Sequence, residues 1–304
     1  MAVAVEILLS TYNGSAYLDE LLSSLLQQDF TNFTVRIRDD GSTDSTLDII
    51  AKYNAKLTIK VTAGSNLGAA KSFFELLEHA DANAGFYAFC DQDDVWLPQK
   101  LSRAVACLQQ EDSSQALLYC SRQWITDKAL QVNRLSELPG RPLQLGNALI
   151  ENVVTGCTVV INQQARQLLV GRIIPADDII MHDWWFYIVI SALGKVIFDQ
   201  QACILYRQHG ANTIGANQGI VRWLARIKRF MVGNSQHKLE LQAFCFLQRY
   251  ADELDAMTKQ RIKLVFGGYQ VCFQKCKVLF WEKWVYRQRA LDSFYIRIML
   301  LVKN

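Results

Sequence analysis

Residues 3–110 alternate between two hydrophobic periodicities, and few folds accept such a pattern. Residues 3–9 form a β-branched and aliphatic run. Across residues 16–27, Tyr17, Leu18, Leu21, Leu22, Leu25 and Leu26 recur at helical spacing. Residues 34–38 then read as a strand and 47–53 as a helix; 57–62, 69–79, 86–90 and 97–110 repeat the alternation. Strands separated by helices assemble as βαβ units, because a parallel neighbour can only be reached through a crossover. The expected fold is therefore α/β, a mainly parallel sheet flanked by helices.

Beyond a strand at 116–120 the rhythm weakens. Residues 126–150 contain Pro139, Gly140, Pro142 and Gly146 and read as loop. Residues 158–161 resemble a further strand and 183–193 a strongly apolar helix. Charge divides the chain in two. Residues 1–219 hold 16 Lys+Arg against 23 Asp+Glu, whereas residues 220–304 hold 16 against 6. With the glycines at 215 and 219, this places a boundary between an acidic α/β domain at 1–215 and a basic, aromatic-rich helical region at 216–304.

Half of the 304 residues are hydrophobic and a fifth are charged, so the chain can bury a core. Its eight cysteines are scattered through apolar segments, and the Cys272/Cys276 pair has no partner pair or nearby histidine to suggest zinc. They are expected as reduced core thiols of a cytosolic protein. The first residues show no basic n-region, so no secretory signal is expected. No apolar stretch is long enough to cross a bilayer.

The sharpest chemical feature is Asp91-Gln92-Asp93-Asp94-Val95-Trp96, directly after the apolar strand at 86–90. Its carboxylates should emerge at the C-terminal edge of the sheet, where open α/β sheets bind ligands. Three acids in four residues repel one another unless a cation or donors neutralise them. A hard divalent ion takes such oxygens and commonly bridges them to phosphates. Two more turns fall on the same edge, Ser10-Thr11-Tyr12-Asn13-Gly14 and Asp39-Asp40-Gly41-Ser42-Thr43-Asp44. Singly, each acidic turn has an ordinary reading as a tight turn or helix cap. Together on one edge they suit a nucleobase and a metal-bound diphosphate. A dinucleotide-binding fold would need a glycine-rich fingerprint after the first strand, and that turn has one glycine only.

These three turns, with Asn66-Leu67-Gly68 and the continuation Leu97-Pro98, resemble in order and spacing the family 2 inverting glycosyltransferases. The resemblance is detailed over the first third of the chain and looser to about residue 215. It implies the GT-A nucleotide-diphospho-sugar transferase fold with a C-terminal helical appendage, a nucleotide-sugar donor, and Mg2+ or Mn2+ as cofactor. It implies nucleotide contacts for Thr11, Tyr12, Asp39, Asp40, Asn66 and Gln92. Lys71, in the following helix, could reach a phosphate or remain a solvated lysine. Asp93 is the implied metal ligand and Asp91 a contact to ribose or metal; the role of Asp94 stays open.

An inverting transfer needs a base for the acceptor hydroxyl. The family places an acid at the start of a late helix, which here is Asp183 in His182-Asp183-Trp184-Trp185; Asp177 and Asp178 compete for the role. Trp neighbours give that carboxylate a reason for an upward pKa shift. Thr155-Gly156-Cys157-Thr158 resembles the sugar-pocket stretch, so Gly156, Cys157, His182 and Trp184 join the substrate contacts. Tyr206-Arg207-Gln208-His209-Gly210 resembles the rhamnosyltransferase-like branch, implying Arg207 at the diphosphate and His209 at the diphosphate or in the metal shell. The branch implies dTDP-L-rhamnose as donor and a glycan or lipid-linked saccharide as acceptor in bacterial surface-polysaccharide assembly. The alternatives are the same fold with another nucleotide-sugar donor, or a catalytically silent nucleotide-sugar-binding protein.

The tail interleaves cations and aromatics, as in residues 222–230 and 281–287. That composition suits peripheral contact with anionic lipid on the inner face of the plasma membrane, or a bundle packed on the catalytic domain. Nucleic acid is not expected as a partner.

Overall fold

The computed structural model of the protein describes residues 4–172, 179–208, 235–267 and 273–302. The alternation becomes β1 (Val5–Thr11), α1 (Leu18–Leu26), β2 (Phe33–Asp39), α2 (Thr46–Tyr53), β3 (Ile59–Ala63), α3 (Ala69–Glu78) and β4 (Phe86–Asp91). The helical period of α1 has a direct consequence: Leu18, Leu21, Leu22 and Leu25 share one face and all are buried. Burying each is worth roughly 1.5–3 kcal/mol. They pack with Val5, Ile7 and Leu9 of β1, Val35 and Ile37 of β2, and Ala88 and Cys90 of β4 in one core.

Next come a short β5 (Val95–Trp96), α4 (Lys100–Gln109), β6 (Leu117–Thr126), β7 (Val132–Leu135), α5 (Leu145–Ala148), β8 (Val160–Asn162), α6 (Gln163–Leu169), α7 (His182–Leu193) and β9 (Lys195–Arg207). The nine-stranded sheet runs β3-β2-β1-β4-β8-β6-β9-β5, with β7 beside β6. The first four positions are parallel, as is β6 with β9. Around β8, and at the β5 and β7 pairings, the ladders are antiparallel. The sheet is thus mixed: long parallel ladders carry most of it, and short antiparallel pairings join it because beyond β4 strands enter by routes other than βαβ crossovers. The stretch read as loop, 126–150, includes β7 and α5.

Register decides where the chemistry falls. Thr11 pairs with Asp39, and Ser10 with both Arg38 and Asp91. Strands β1, β2 and β4 therefore end level, and their three turns leave the sheet at one edge.

Two compact units are present. One comprises residues 1–138, 154–171 and 194–215; the other comprises 139–153, 172–193 and 216–304. A unit edge falls at 215/216, while 139–153 and 172–193, read as part of the catalytic domain, belong with the C-terminal residues. In that second unit α7 is apolar nearly all round, and Trp185 lies against Phe246 and Tyr250 of α8 (Ser235–Tyr250). Helices α9 (Ala256–Phe266), α10 (Phe273–Cys276) and α11 (Ala290–Val302) complete it.

Candidate active site

The turn after β1 is held by the turn after β2. Asn13 N–H donates to Ser42 Oγ (2.8 Å), Gly14 N–H to Thr46 Oγ1 (2.8 Å) and Ser15 N–H to Asp44 (3.0 Å), while Asn13 Oδ1 accepts from Thr43 N–H (2.8 Å). Asn13 has a left-handed φ of 45°, which asparagine tolerates better than most residues. Tyr12 remains 47% exposed, a free aromatic face suited to stacking on a base.

Asp39 and Asp40 are both buried, yet serve different neighbours. Asp39 accepts from Thr11 Oγ1 (2.9 Å), Ser42 Oγ (2.6 Å) and the Gly41 and Ser42 N–H groups (3.2 and 2.8 Å). Gly41, at φ 81°, makes that wrap possible. Asp40 pairs with Arg38 and accepts from the Leu67 and Gly68 N–H groups (both 3.1 Å). It thereby anchors the Asn66-Leu67-Gly68 loop and the start of α3. Asn66 is exposed beside it and caps Gly68 N–H (2.9 Å); Lys71 is exposed on the first turn of α3.

The acidic turn is tied to the first turn by Gln92, whose amide pairs with both backbone groups of Tyr12. Asp91 and Asp93 are half-buried and Asp94 is fully buried. Asp94 Oδ1 accepts from Arg207 N–H (3.0 Å), whereas Oδ2 has no hydrogen-bond partner. Burial, reinforced by the Asp93 charge, pushes the Asp94 carboxyl up to about 7 against the opposing pull of Cys157 and Arg207. Single ligand atoms of Asp91, Asp94 and Cys157 lie within 4.8 Å of one another, a grouping able to hold a metal ion; Asp93 is not part of it.

The two carboxylates fit a hard divalent ion, and the orphaned Asp94 oxygen is an acceptor such an ion would satisfy. Cys157 is a poor third ligand for such an ion, because a soft sulfur does not suit a hard divalent cation that prefers oxygen. Cys157 and Gly156 lie buried in a single 3₁₀ turn, Gly156–Thr158, so the sugar-pocket stretch adjoins the acids through Cys157.

Arg207 was expected at the diphosphate, but its guanidinium is engaged inside the protein. Nε donates to Asp93 O (2.8 Å), Nη1 to Lys128 O (2.5 Å) and Nη2 pairs with Glu20, with Tyr17 stacked at 4.5 Å. Together with its N–H on Asp94, this makes Arg207 a strut for the acidic turn. Lys100 is equally unforeseen as a site element. It is buried 3.7 Å from the Trp96 ring centroid, with no hydrogen-bond partner for Nζ, and burial lowers its pKa to about 8 despite nearby thiols and Asp94. The sequence held one signal for it: Lys100 sits a helical turn before Ala104, on the apolar face of α4.

In the second unit, Asp183 and His182 are buried in the first turn of α7. Asp183 Oδ1 accepts from Trp184 N–H (2.7 Å), and Trp184 Nε1 donates to Ala148 O (2.6 Å). Burial alone holds His182 down at about 3, so it is neutral at physiological pH. His209, Asp177 and Asp178 lie outside the described residues.

Residues 6–169, more than half of the chain, match Glycosyl transferase family 2. The chain belongs to that family. Among curated relatives, this family 2 transferase is 27% identical to the dTDP-rhamnosyl transferase RfbG of Shigella flexneri, over 97% of this chain and 99% of that one. It is 25% identical to TuaG of Bacillus subtilis, a putative teichuronic acid biosynthesis glycosyltransferase, over 80% and 93% of the two chains. In fold it matches the crystal structure of Staphylococcus aureus TarS 1–349, with TM-score 0.63 and 19% identity over 98% of this chain and 83% of that one. The match establishes a GT-A fold for this transferase. Among its described residues no helix is long and apolar enough to cross a membrane, and seven described cysteines are free thiols.

Proposed function

We propose that this family 2 transferase moves L-rhamnose, with inversion, from dTDP-L-rhamnose to a glycan or lipid-linked saccharide in bacterial surface-polysaccharide assembly. The observation that carries the reading is the level ending of β1, β2 and β4, with Thr11 paired to Asp39 and the neighbouring Ser10 paired to Asp91 at one edge. Such an edge offers a base and a ribose both donors and acceptors, and offers phosphates a cation site. The relative named as a dTDP-rhamnosyl transferase, alike over nearly the full length of both chains, supports the choice of donor.

Each residue has a distinct task. Tyr12 stacks on the base, and Thr11 and Asp39 face its edge. Asp40 presents the Asn66 loop, and Lys71 meets a phosphate. Asp91 and Asp94, with Asp93 beside them, would hold Mg2+ or Mn2+, whose positive charge would ease departure of the nucleoside diphosphate. His209 is carried forward as a further ligand from sequence resemblance alone. Gln92 and Arg207 keep the acidic turn in place, while Gly156 and Cys157 shape the sugar site beside it. Asp183 takes the acceptor proton, next in sequence to a His182 that burial keeps neutral. The enzyme works on the cytoplasmic side, at the inner face of the plasma membrane.

A panel of nucleotide sugars assayed for diphosphate release tests the donor. Release from dTDP-L-rhamnose well above the others is expected. Preferential release from UDP-GlcNAc, the ligand of a TarS structure alike in fold at TM-score 0.62, would replace rhamnose and leave the transferase reading intact. Binding without release from any donor would mark a nucleotide-sugar-binding protein that has lost catalysis.

A further inference from the structure

Helix α11 is apolar on two faces, and the fold covers only one. Ser293, Ile296, Arg297 and Leu300 are buried. Leu291, Phe294 and Ile298, spaced i, i+3, i+7 on another face, are 75%, 57% and 37% exposed. Just upstream, Trp281 is 87% and Phe273 84% exposed. The rings of Phe280 and Phe294 meet edge-on at 6.5 Å, so the Trp281 segment and the α11 stripe adjoin. Twelve large hydrophobic residues are exposed among the described residues, and these five fall within residues 273–302. Such concentration marks an interaction surface rather than the ordinary scatter of surface apolar residues.

Charge identifies the partner. Residues 273–302 contain six Lys+Arg and two Asp+Glu. Lys277, Lys283 and Arg289 are exposed, and the negative charge of Glu282 is offset by Arg261 at 2.8 Å. A lipid surface complements both properties at once: its acyl boundary takes the Leu, Ile and Phe side chains, and its anionic headgroups take the cations. An exposed Trp is the side chain most at home at that boundary, with an apolar body and one N–H for the headgroup layer.

We propose that the face formed by Phe273, Trp281, Leu291, Phe294 and Ile298, rimmed by Lys277, Lys283 and Arg289, docks on an anionic phospholipid bilayer. The helix lies along the interface and does not cross it. This deepens the membrane-side reading above by naming the surface and the lipid chemistry; it does not depend on which sugar is transferred.

The test is co-sedimentation of the full-length protein with vesicles of phosphatidylcholine, alone or mixed with phosphatidylglycerol, with tryptophan emission recorded in parallel. The wild type should pellet with the mixed vesicles and shift its emission to the blue, with binding weakened by salt. The Trp281→Ser/Phe294→Ser variant should lose about tenfold in partitioning, as two large side chains leave the interface. Lys277→Gln/Lys283→Gln should lose the preference for phosphatidylglycerol. Unchanged melting and unchanged diphosphate release with a soluble acceptor would separate failed docking from failed folding or failed catalysis. Recovery of the wild type in the supernatant, or equal pelleting of both variants, would overturn the proposal. So would a dimer in sedimentation velocity that Trp281→Ser/Phe294→Ser dissolves, which would assign the face to a second copy of the chain.

Discussion

The Gln92 side chain pairs with both backbone groups of Tyr12: it accepts from Tyr12 N–H at 2.9 Å and donates to Tyr12 O at 3.0 Å. One amide thus sets the height of the acidic turn against the turn carrying the exposed aromatic. Gly14 allows the approach, since a Cβ there would fall 2.2 Å from Gln92 Oε1.

Removing the pairing should cost nucleotide affinity before it costs the fold. Gln92→Ala and Gly14→Ala are each expected to weaken nucleoside diphosphate binding roughly tenfold, the value of one or two hydrogen bonds, about 1.4 kcal/mol. Isothermal titration measures it. Wild-type affinity in both variants would remove Gln92 from the site's framework.

Arg207→Lys keeps a charge but cannot reach Asp93 O, Lys128 O and Glu20 together. The buried groups it abandons should cost about 2–4 kcal/mol in urea unfolding, together with most of the activity. An unchanged midpoint with a selective rise in the KM for donor would instead return Arg207 to direct diphosphate binding.

His182 gives an acid limb to stability. Its pKa falls from 6.5 to about 3 through burial, so below about 6.5 the unfolded chain binds a proton that the native protein refuses. Stability is unaffected by this group above that range and falls as pH drops, by about 1.4 kcal/mol per unit once the unfolded imidazole is protonated. His182→Phe should flatten the decline between pH 6 and 4; equal slopes would contradict the assignment.

The carboxylates, not the thiol, should set metal affinity. Asp91→Asn should weaken Mn2+ binding roughly tenfold or more, since even indirect partners of metal ligands cost that much. Cys157→Ser should leave the Mn2+ titration unchanged, because a soft sulfur contributes little to binding a hard ion held by carboxylates. Loss of Mn2+ binding in Cys157→Ser would overturn that reading.

Much of the fold was legible because its first half obeys local rules. The leucines of α1 bury one period-matched face, the continuous apolar runs of β1 and β4 bury both faces as central strands do, and the strands β1, β2 and β4 end where the three turns begin. Strand β9 was missed because Asp199-Gln200-Gln201 interrupts its alternation. Tertiary partners hold it together there: Asp199 binds Arg103 and the Tyr119 hydroxyl, and the β6 register shifts alongside. Thr11, Asp39 and Asp91 could be placed at one edge from strand ends alone. Arg207 could not be assigned its neighbours, because Glu20 and Lys128 approach it only through packing. The burial of Asp94 between Cys157 and Arg207 is likewise a property of the assembled sheet, and no spacing in the sequence encodes it.

Asp183 carries the central claim, that this transferase activates its acceptor with one carboxylate at the start of α7. The direct measurement is release of nucleoside diphosphate from dTDP-L-rhamnose with a saccharide acceptor, comparing wild type with Asp183→Asn. Loss of a general base should lower kcat by about 10²–10⁴-fold while donor affinity stays intact. Turnover by Asp183→Asn at the wild-type rate would contradict the account.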